Sequence, residues 1–225
     1  MAKQEILLGV VVVLVILLAY RRYGRRGRDI ESAGASVFGV GRLLTHYGGT
    51  EEAGLLLYNA NSRVLAVARY LRDQYRIGET DDVVASRGPP ADTQARRIAE
   101  AILRNYNYEE IYENDPHNSE GSTSFMINKK IMHVCLRHKS NPEVFVPEDV
   151  LVFVMLHELS HIGNYNGWAH GADFWSVFGF VLRAAVKCGA YTYAPYHDRP
   201  EEYCGITIKY TPIGDEGIAA IAGEL

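Results

Sequence analysis

Residues 150–162 read VLVFVMLHELSHI, and the expected fold follows from placing this stretch on a helix. Apolar side chains fill nearly every position outside His157, Glu158, Ser160 and His161, so the helix is expected to be buried rather than to lie on the surface with one polar face. Pro147 suits its first position, and Glu148 and Asp149 complement the positive end of the helix dipole. Gly163 ends it. On such a helix His157 and His161 are four residues apart. Both imidazoles then leave the same face about one turn from each other, as a two-pronged clamp for a metal ion. Two histidines and a carboxylate in an apolar interior are costly unless they ligate a metal or are otherwise fully paired.

Glu158 stands between the two prongs, placed to reach a metal-bound water rather than the metal, which is the H-E-x-x-H arrangement of zinc peptidases. Catalytic zinc usually keeps three protein ligands and one position open to water, so a third ligand is required. After the loop Asn164–Ala169 the chain arrives at His170-Gly171, and a new helix is expected from about Ala172. A loop of that length can return His170 to the metal. The metzincin pattern fails, because its third and sixth positions after the second histidine are Asn164 and Gly167 here. With Zn2+ bound, water would attack a peptide carbonyl while Glu158 takes the proton as general base and passes it to the leaving amine. The tetrahedral intermediate needs a further electrophile. The stretch holding Tyr191, Tyr193, Tyr196, His197 and Tyr203 is where it is sought, with Tyr203 and Tyr193 the candidates. Plain packing is the alternative for each tyrosine. Asp173, on the first turn after His170, could orient a ligand imidazole or simply serve the helix dipole.

Outward from this centre, Arg63–Ile77 sets Val64, Val67, Ala68, Leu71 and Tyr75 at helical spacing before Gly78. A second helix, with Asp92 as its cap, carries Ala95, Ile98, Ala99, Ile102 and Leu103 on one stripe up to Asn105. Ser124–Arg137 predicts a hairpin of two short strands joined at Asn128-Lys129-Lys130. His133 falls on that predicted strand, where it could reach the cleft or sit in the core. Trp175, Val177, Phe178, Phe180, Val181 and Leu182 crowd a last helix that stops at Gly189. The fold class expected is α+β.

His157-Glu-Leu-Ser-His161 followed by His170-Gly-Ala-Asp-Phe-Trp175 resembles the WLM and SprT-like zinc metallopeptidases. Residues 127–137, Tyr191-Thr-Tyr-Ala-Pro-Tyr196 and Pro200-Glu-Glu-Tyr-Cys-Gly205 are similar to the membrane-tethered members encoded by large double-stranded DNA viruses of eukaryotes. The resemblance covers roughly residues 60–210. It implies a minimal zincin fold in which helices flank a small sheet and an edge strand holds an extended peptide beside the metal. It also implies His157, His161 and His170 as ligands and Glu158 as base and acid. No DNA-binding tail or ubiquitin-type interaction motif accompanies it.

Ile6–Tyr20 reads ILLGVVVVLVILLAY without a charge, roughly 22 Å as a helix. It is read as an uncleaved transmembrane anchor, because a signal peptide wants its positive charge before the apolar run and here the arginines follow. Residues 1–28 carry Lys3, Arg21, Arg22, Arg25, Arg26 and Arg28 against Glu5, a net +5. The total is −4, so the rest of the chain is acidic and offers no general attraction for nucleic acid. The arginines place the carboxy-terminal body on the cytosolic side of a single-pass span, in a host-cell or virion membrane if the chain is viral. Cys135, Cys188 and Cys204 are spaced too far apart for a cysteine zinc knuckle and are expected as buried free thiols, which fits that side. Cys204 close to a metal is also a possible thiolate ligand. The expected organisation is an anchor with basic flank over 1–28, a tether over 29–61 with at most one weak helix, a metallopeptidase domain over 62–210 and a tail over 211–225. The function expected is a membrane-anchored zinc metallopeptidase acting on polypeptide. Its rivals are a catalytically silent zincin serving as a structural or virion membrane protein, and a zinc hydrolase acting on another bond.

Overall fold

A computed structural model describes residues 33–35, 38–117, 123–167 and 169–213. The expected anchor over 1–28 and the tail from 214 onward lie outside the described residues. Among the described residues no helix is long and apolar enough to cross a membrane. The architecture is α+β. In chain order the elements are β1 (Ala33–Ala35), β2 (Arg42–Leu44), α1 (Thr50–Gln74), α2 (Asp81–Arg87), α3 (Gln94–Asn105), β3 (Ile111–Glu113), β4 (Phe125–Ile127), β5 (Ile131–Val134), α4 (Glu148–Gly163), α5 (Ala172–Lys187), β6 (Glu201–Tyr203) and β7 (Ile206–Ile208).

The helix read first is the hub. Val150 through Leu156 are all buried, and α1, α3 and α5 pack around α4, which is why its sequence lacks a polar face. Pro147 stands just before it with extended backbone. Arg63 of α1 then bridges the acidic first turn, with Nη1 at 3.0 Å from Glu148 and 2.8 Å from Asp149. At the other end Gly163 is required by close approach, because a Cβ there would come within 2.9 Å of Ile98 and 3.1 Å of Val177. Lys129 reaches across to donate to the Asn164 carbonyl beyond the helix end, where a cation complements the dipole.

The five-stranded sheet runs in the order β1-β2-β3-β5-β4. β2, β3 and β5 are parallel, and β1 and β4 close the two ends as antiparallel strands. The crossover from β2 to β3 is made by α1, α2 and α3. The expected hairpin is β4–β5: Asn128 and Lys129 both take positive φ, 51° and 56°, and Lys130 N–H bonds the Ile127 carbonyl at 3.0 Å. Such a turn matches the twist of the flanking strands. β6 and β7 form a separate antiparallel pair.

Three expectations are corrected. The 29–61 tether contributes β1 and β2 to the sheet and the first half of α1, where Ala53, Leu57 and Ala60 are buried. The cap of α3 is Thr93, whose hydroxyl accepts the Arg96 N–H at 3.1 Å, one residue after the expected Asp92. The free thiols become a bond: Cys135, just past β5, is joined to Cys204 in the β6–β7 turn. Only Cys188 is a free cysteine. The two bonded cysteines are 69 residues apart, so the pairing depends on where the strands are placed and not on local spacing. Free thiols therefore no longer argue for a cytosolic body, and the arginine asymmetry carries that reading alone.

An ion pair ties the sheet to its surroundings. Arg137 Nε lies 2.7 Å from Glu113 Oε1 with both side chains fully buried. The second Glu113 oxygen accepts the Leu44 N–H at 2.9 Å, and Arg137 Nη1 donates to the Pro142 carbonyl at 2.9 Å. Burying such a pair is tolerable only because these further bonds are made.

Candidate metal centre

His157 and His161 leave one face of α4, and the 164–170 loop brings His170 back over them. Nε2 of His170 lies 3.0 Å from Nε2 of His157 and 3.0 Å from Nε2 of His161. Phe174, on the first turn of α5, backs all three rings, with centroids at 4.8, 4.4 and 4.6 Å from His157, His161 and His170. Exposure increases across the set from buried His161 through half-buried His157 to exposed His170, so the cluster is open on one side.

The donor set fits a cation. A ring nitrogen offers either one proton or one lone pair, so His170 Nε2 cannot hydrogen-bond well to both neighbours at once. Three lone pairs aimed at one ion would satisfy every ring. Tetrahedral ligation at about 2.0–2.1 Å places the nitrogens about 3.3 Å apart, close to the spacing here. Burial lowers the pKa of all three histidines and keeps them in the neutral form that ligates. His157 is held at about 3 by burial and by its neighbours His161 and His170. His161 is held at about 4 by burial, His170 and Lys129, and His170 is lowered by burial. These three residues could hold a metal ion.

Glu158 is buried beside them at 2% exposure. Its Oε1 accepts the Ser124 hydroxyl at 2.6 Å, while Oε2 has no hydrogen-bond partner among the described residues. Burial raises its pKa to about 7 and the Ser124 hydrogen bond partly opposes the rise. All four groups line one cavity of about 460 Å³ together with Ser124, Phe125, Phe153, Phe178, Tyr203 and Ile208. β4, the strand at one edge of the sheet, contributes Phe125 and Met126 to the lining.

The structure brings together His157, His161, His170, Glu158 and Tyr203. Tyr203 is fully buried and its hydroxyl accepts the Cys135 N–H at 2.8 Å. Tyr193 is 43% exposed and lies outside the cavity lining. Asp173 is exposed on the first turn of α5, away from any hydrogen bond to the three histidines among the described residues. Tyr191 and Tyr196 pack on Phe153, and His197 faces Asp198 at 3.2 Å. Cys204 is not a ligand, because its sulfur is bonded to Cys135. His133 lies in a core stack between Tyr112 and Phe125, at 5.2 and 4.4 Å. Sequence reasoning missed Ser124 and the wall formed by β7. A serine at the head of a strand carries no local mark of the helix it will face.

Uncharacterized protein 042R of Invertebrate iridescent virus 3 is 30% identical to this chain over 87 residues, which make up 39% of the chain. The match covers 52% of that viral protein, about half its length. No protein-family model matches the chain. No solved structure matches it.

Proposed function

We propose that the chain is a zinc metallopeptidase of WLM/SprT-like, minimal zincin type, held at a membrane by residues 6–20 and acting on extended polypeptide. The observation that carries this reading is the convergence of three Nε2 atoms beside a buried carboxylate whose second oxygen is unpartnered. Zinc bound by His157, His161 and His170 would supply Lewis acidity, lowering the pKa of water toward about 7 and polarising a carbonyl. The protein's own groups do the rest. Ser124 fixes Glu158 through Oε1, so Oε2 is the atom left to take the proton from water as its oxygen bonds the peptide carbon. Glu158 then gives that proton to the amine nitrogen as the carbon–nitrogen bond breaks. β4 is an end strand of the sheet among the described residues, the kind of edge along which an extended chain adds as a further strand.

Purified full-length protein is expected to hold about one zinc per chain. The double substitution His157→Ala with His161→Ala is expected to lose it, and full retention would refute the ligand set. Glu158→Gln is expected to keep the metal and to stop cleavage of a denatured protein substrate. Equal cleavage by wild type and this variant would remove Glu158 from the mechanism. Retained metal with no cleavage by wild type would favour the silent, structural alternative.

A further inference from the structure

His170 reaches the other two histidines on a loop with few ties. Just past α4 the Asn164 N–H turns back to the Ser160 carbonyl at 2.8 Å, and the Tyr165 N–H to the Gly163 carbonyl at 3.0 Å. Tyr165, Asn166 and His170 are then exposed. Asn164 itself is 3% exposed, so its carbonyl needs a donor from within the protein. Lys129 Nζ supplies that donor from the β4–β5 turn. Among the described residues this is the hydrogen bond by which another element holds the start of the loop. A turn of this shape does not ask for lysine. Asn128 and Lys129 both take positive φ, and glycine is favoured at the second such position. Lys129 is also half-buried, and burial lowers its pKa, so the ammonium gives up water to lie there. Both costs are offset by the reach of its side chain to a carbonyl at the negative end of α4, where the bond is charge-assisted.

We infer that Lys129 is a positioning residue for the metal centre: by fixing the Asn164 carbonyl it sets where the loop leaves α4, and so how His170 returns over His157 and His161. The inference rests on the ligand set of the metallopeptidase reading and adds a group that touches neither metal nor substrate. Five residues lie between Asn164 and His170, so a shift at Asn164 passes to the imidazole with little slack, while ligation tolerates only about 0.2 Å. Lys129 also acts in the opposite direction. Its charge is felt at His161, where it helps to keep the ring neutral, and the same charge repels a divalent cation. Removing the ammonium would therefore strengthen zinc binding through the field and weaken it through position. Position is the larger effect. The field of a half-buried ammonium is screened by water, whereas a buried carbonyl that loses its donor turns toward water to regain one and takes the loop with it.

Two measurements on the full-length chain test this, with zinc itself as the probe. Competition against a chelator of known affinity gives the zinc dissociation constant, and denaturant midpoints in excess chelator give the stability of the metal-free fold. Lys129→Met is expected to bind zinc about 10- to 100-fold more weakly, as for other groups that orient ligands from outside the coordination sphere. Its metal-free stability is expected to match or exceed that of wild type, because a desolvated charge has been removed. Lys129→Arg keeps donor and charge and is expected to recover most of the affinity. Lys129→Gln, polar but too short to span the gap, is expected to repeat the loss and serves if the methionine variant does not fold. Weaker zinc binding at unchanged metal-free stability supports the positioning role. Equal affinity in wild type and Lys129→Met overturns it, and tighter binding in the variant overturns it in favour of the field alone. A parallel fall in affinity and metal-free stability overturns it in favour of a support for the fold. Absence of zinc binding by wild type overturns the metallopeptidase reading and the positioning role together.

Discussion

Glu158 is where stability and proposed chemistry oppose each other at the scale of a single residue. Its carboxyl is pushed from the ordinary 4.5 to about 7 by burial, so the folded state binds its proton more tightly than the unfolded chain does. For a raised carboxyl the sign is unfavourable: between the unfolded and folded values the native state holds the extra proton, and above about 7 it carries a buried, penalised charge. Glu158→Gln in metal-free protein is therefore expected to raise stability at pH 8 by on the order of 2–3 kcal/mol. At pH 4.5 or below, where both states approach the protonated form, the gain should largely vanish. Denaturant midpoints in excess chelator at the two pH values check this, and an equal gain at both would mean that the carboxyl is not desolvated as described. The same residue shows what can be read locally. His157, Glu158 and His161 lie within one turn and a half of helix, so their shared direction follows from spacing alone. His170 follows from a short loop. Ser124 does not, because its bond to Glu158 spans 34 residues and depends on strand placement.

Among the elements, the β6–β7 hairpin bears on the site most and was least legible. Its strands are three residues each, too short for an alternation to stand out, and its turn uses Cys204 and Gly205 at φ 49° and 84°. The segment that follows β5 holds it through the bond from Cys204 to Cys135, the Tyr203 hydroxyl on the Cys135 N–H and the pairing of His138 with Glu202. Since β7 supplies one wall of the cavity, the disulfide fixes that wall as well as closing a long loop. Cys204→Ser is expected to lower stability by about 2–4 kcal/mol and to speed backbone hydrogen exchange in residues 201–208 more than in α4. Unchanged exchange there would show that packing alone holds the hairpin. By contrast the β4–β5 hairpin was legible because Asn128-Lys129-Lys130 separates two apolar runs. The first half of α1 was not, since Gly54, Asn59 and Asn61 dilute the helical pattern while Ala53, Leu57 and Ala60 gain their burial from tertiary contacts.

For the whole molecule, two lines of reasoning point to different compartments. Five arginines within residues 21–28, against Lys3 before the apolar run, favour retention of the body on the cytosolic side. A disulfide between Cys135 and Cys204 is the mark of an oxidising environment in most proteins. Orientation of a single apolar segment is set as it inserts, by charges close to its ends. The disulfide forms later, between groups that the folded sheet already holds together, so the arginines are expected to decide the side. Expressed in cells, the body is then expected to be digested by protease added to sealed microsomes, while deletion of residues 1–20 moves it to the soluble fraction. Protection of the body without detergent would reverse the orientation, and membrane association surviving the deletion would require a second attachment. Alkylation of the same samples before and after reduction reports the cysteines independently. Accessibility together with an intact Cys135–Cys204 bond would mean that the fold protects this bond against a reducing solvent, which the full burial of Cys135 and the near-complete burial of Cys204 favour.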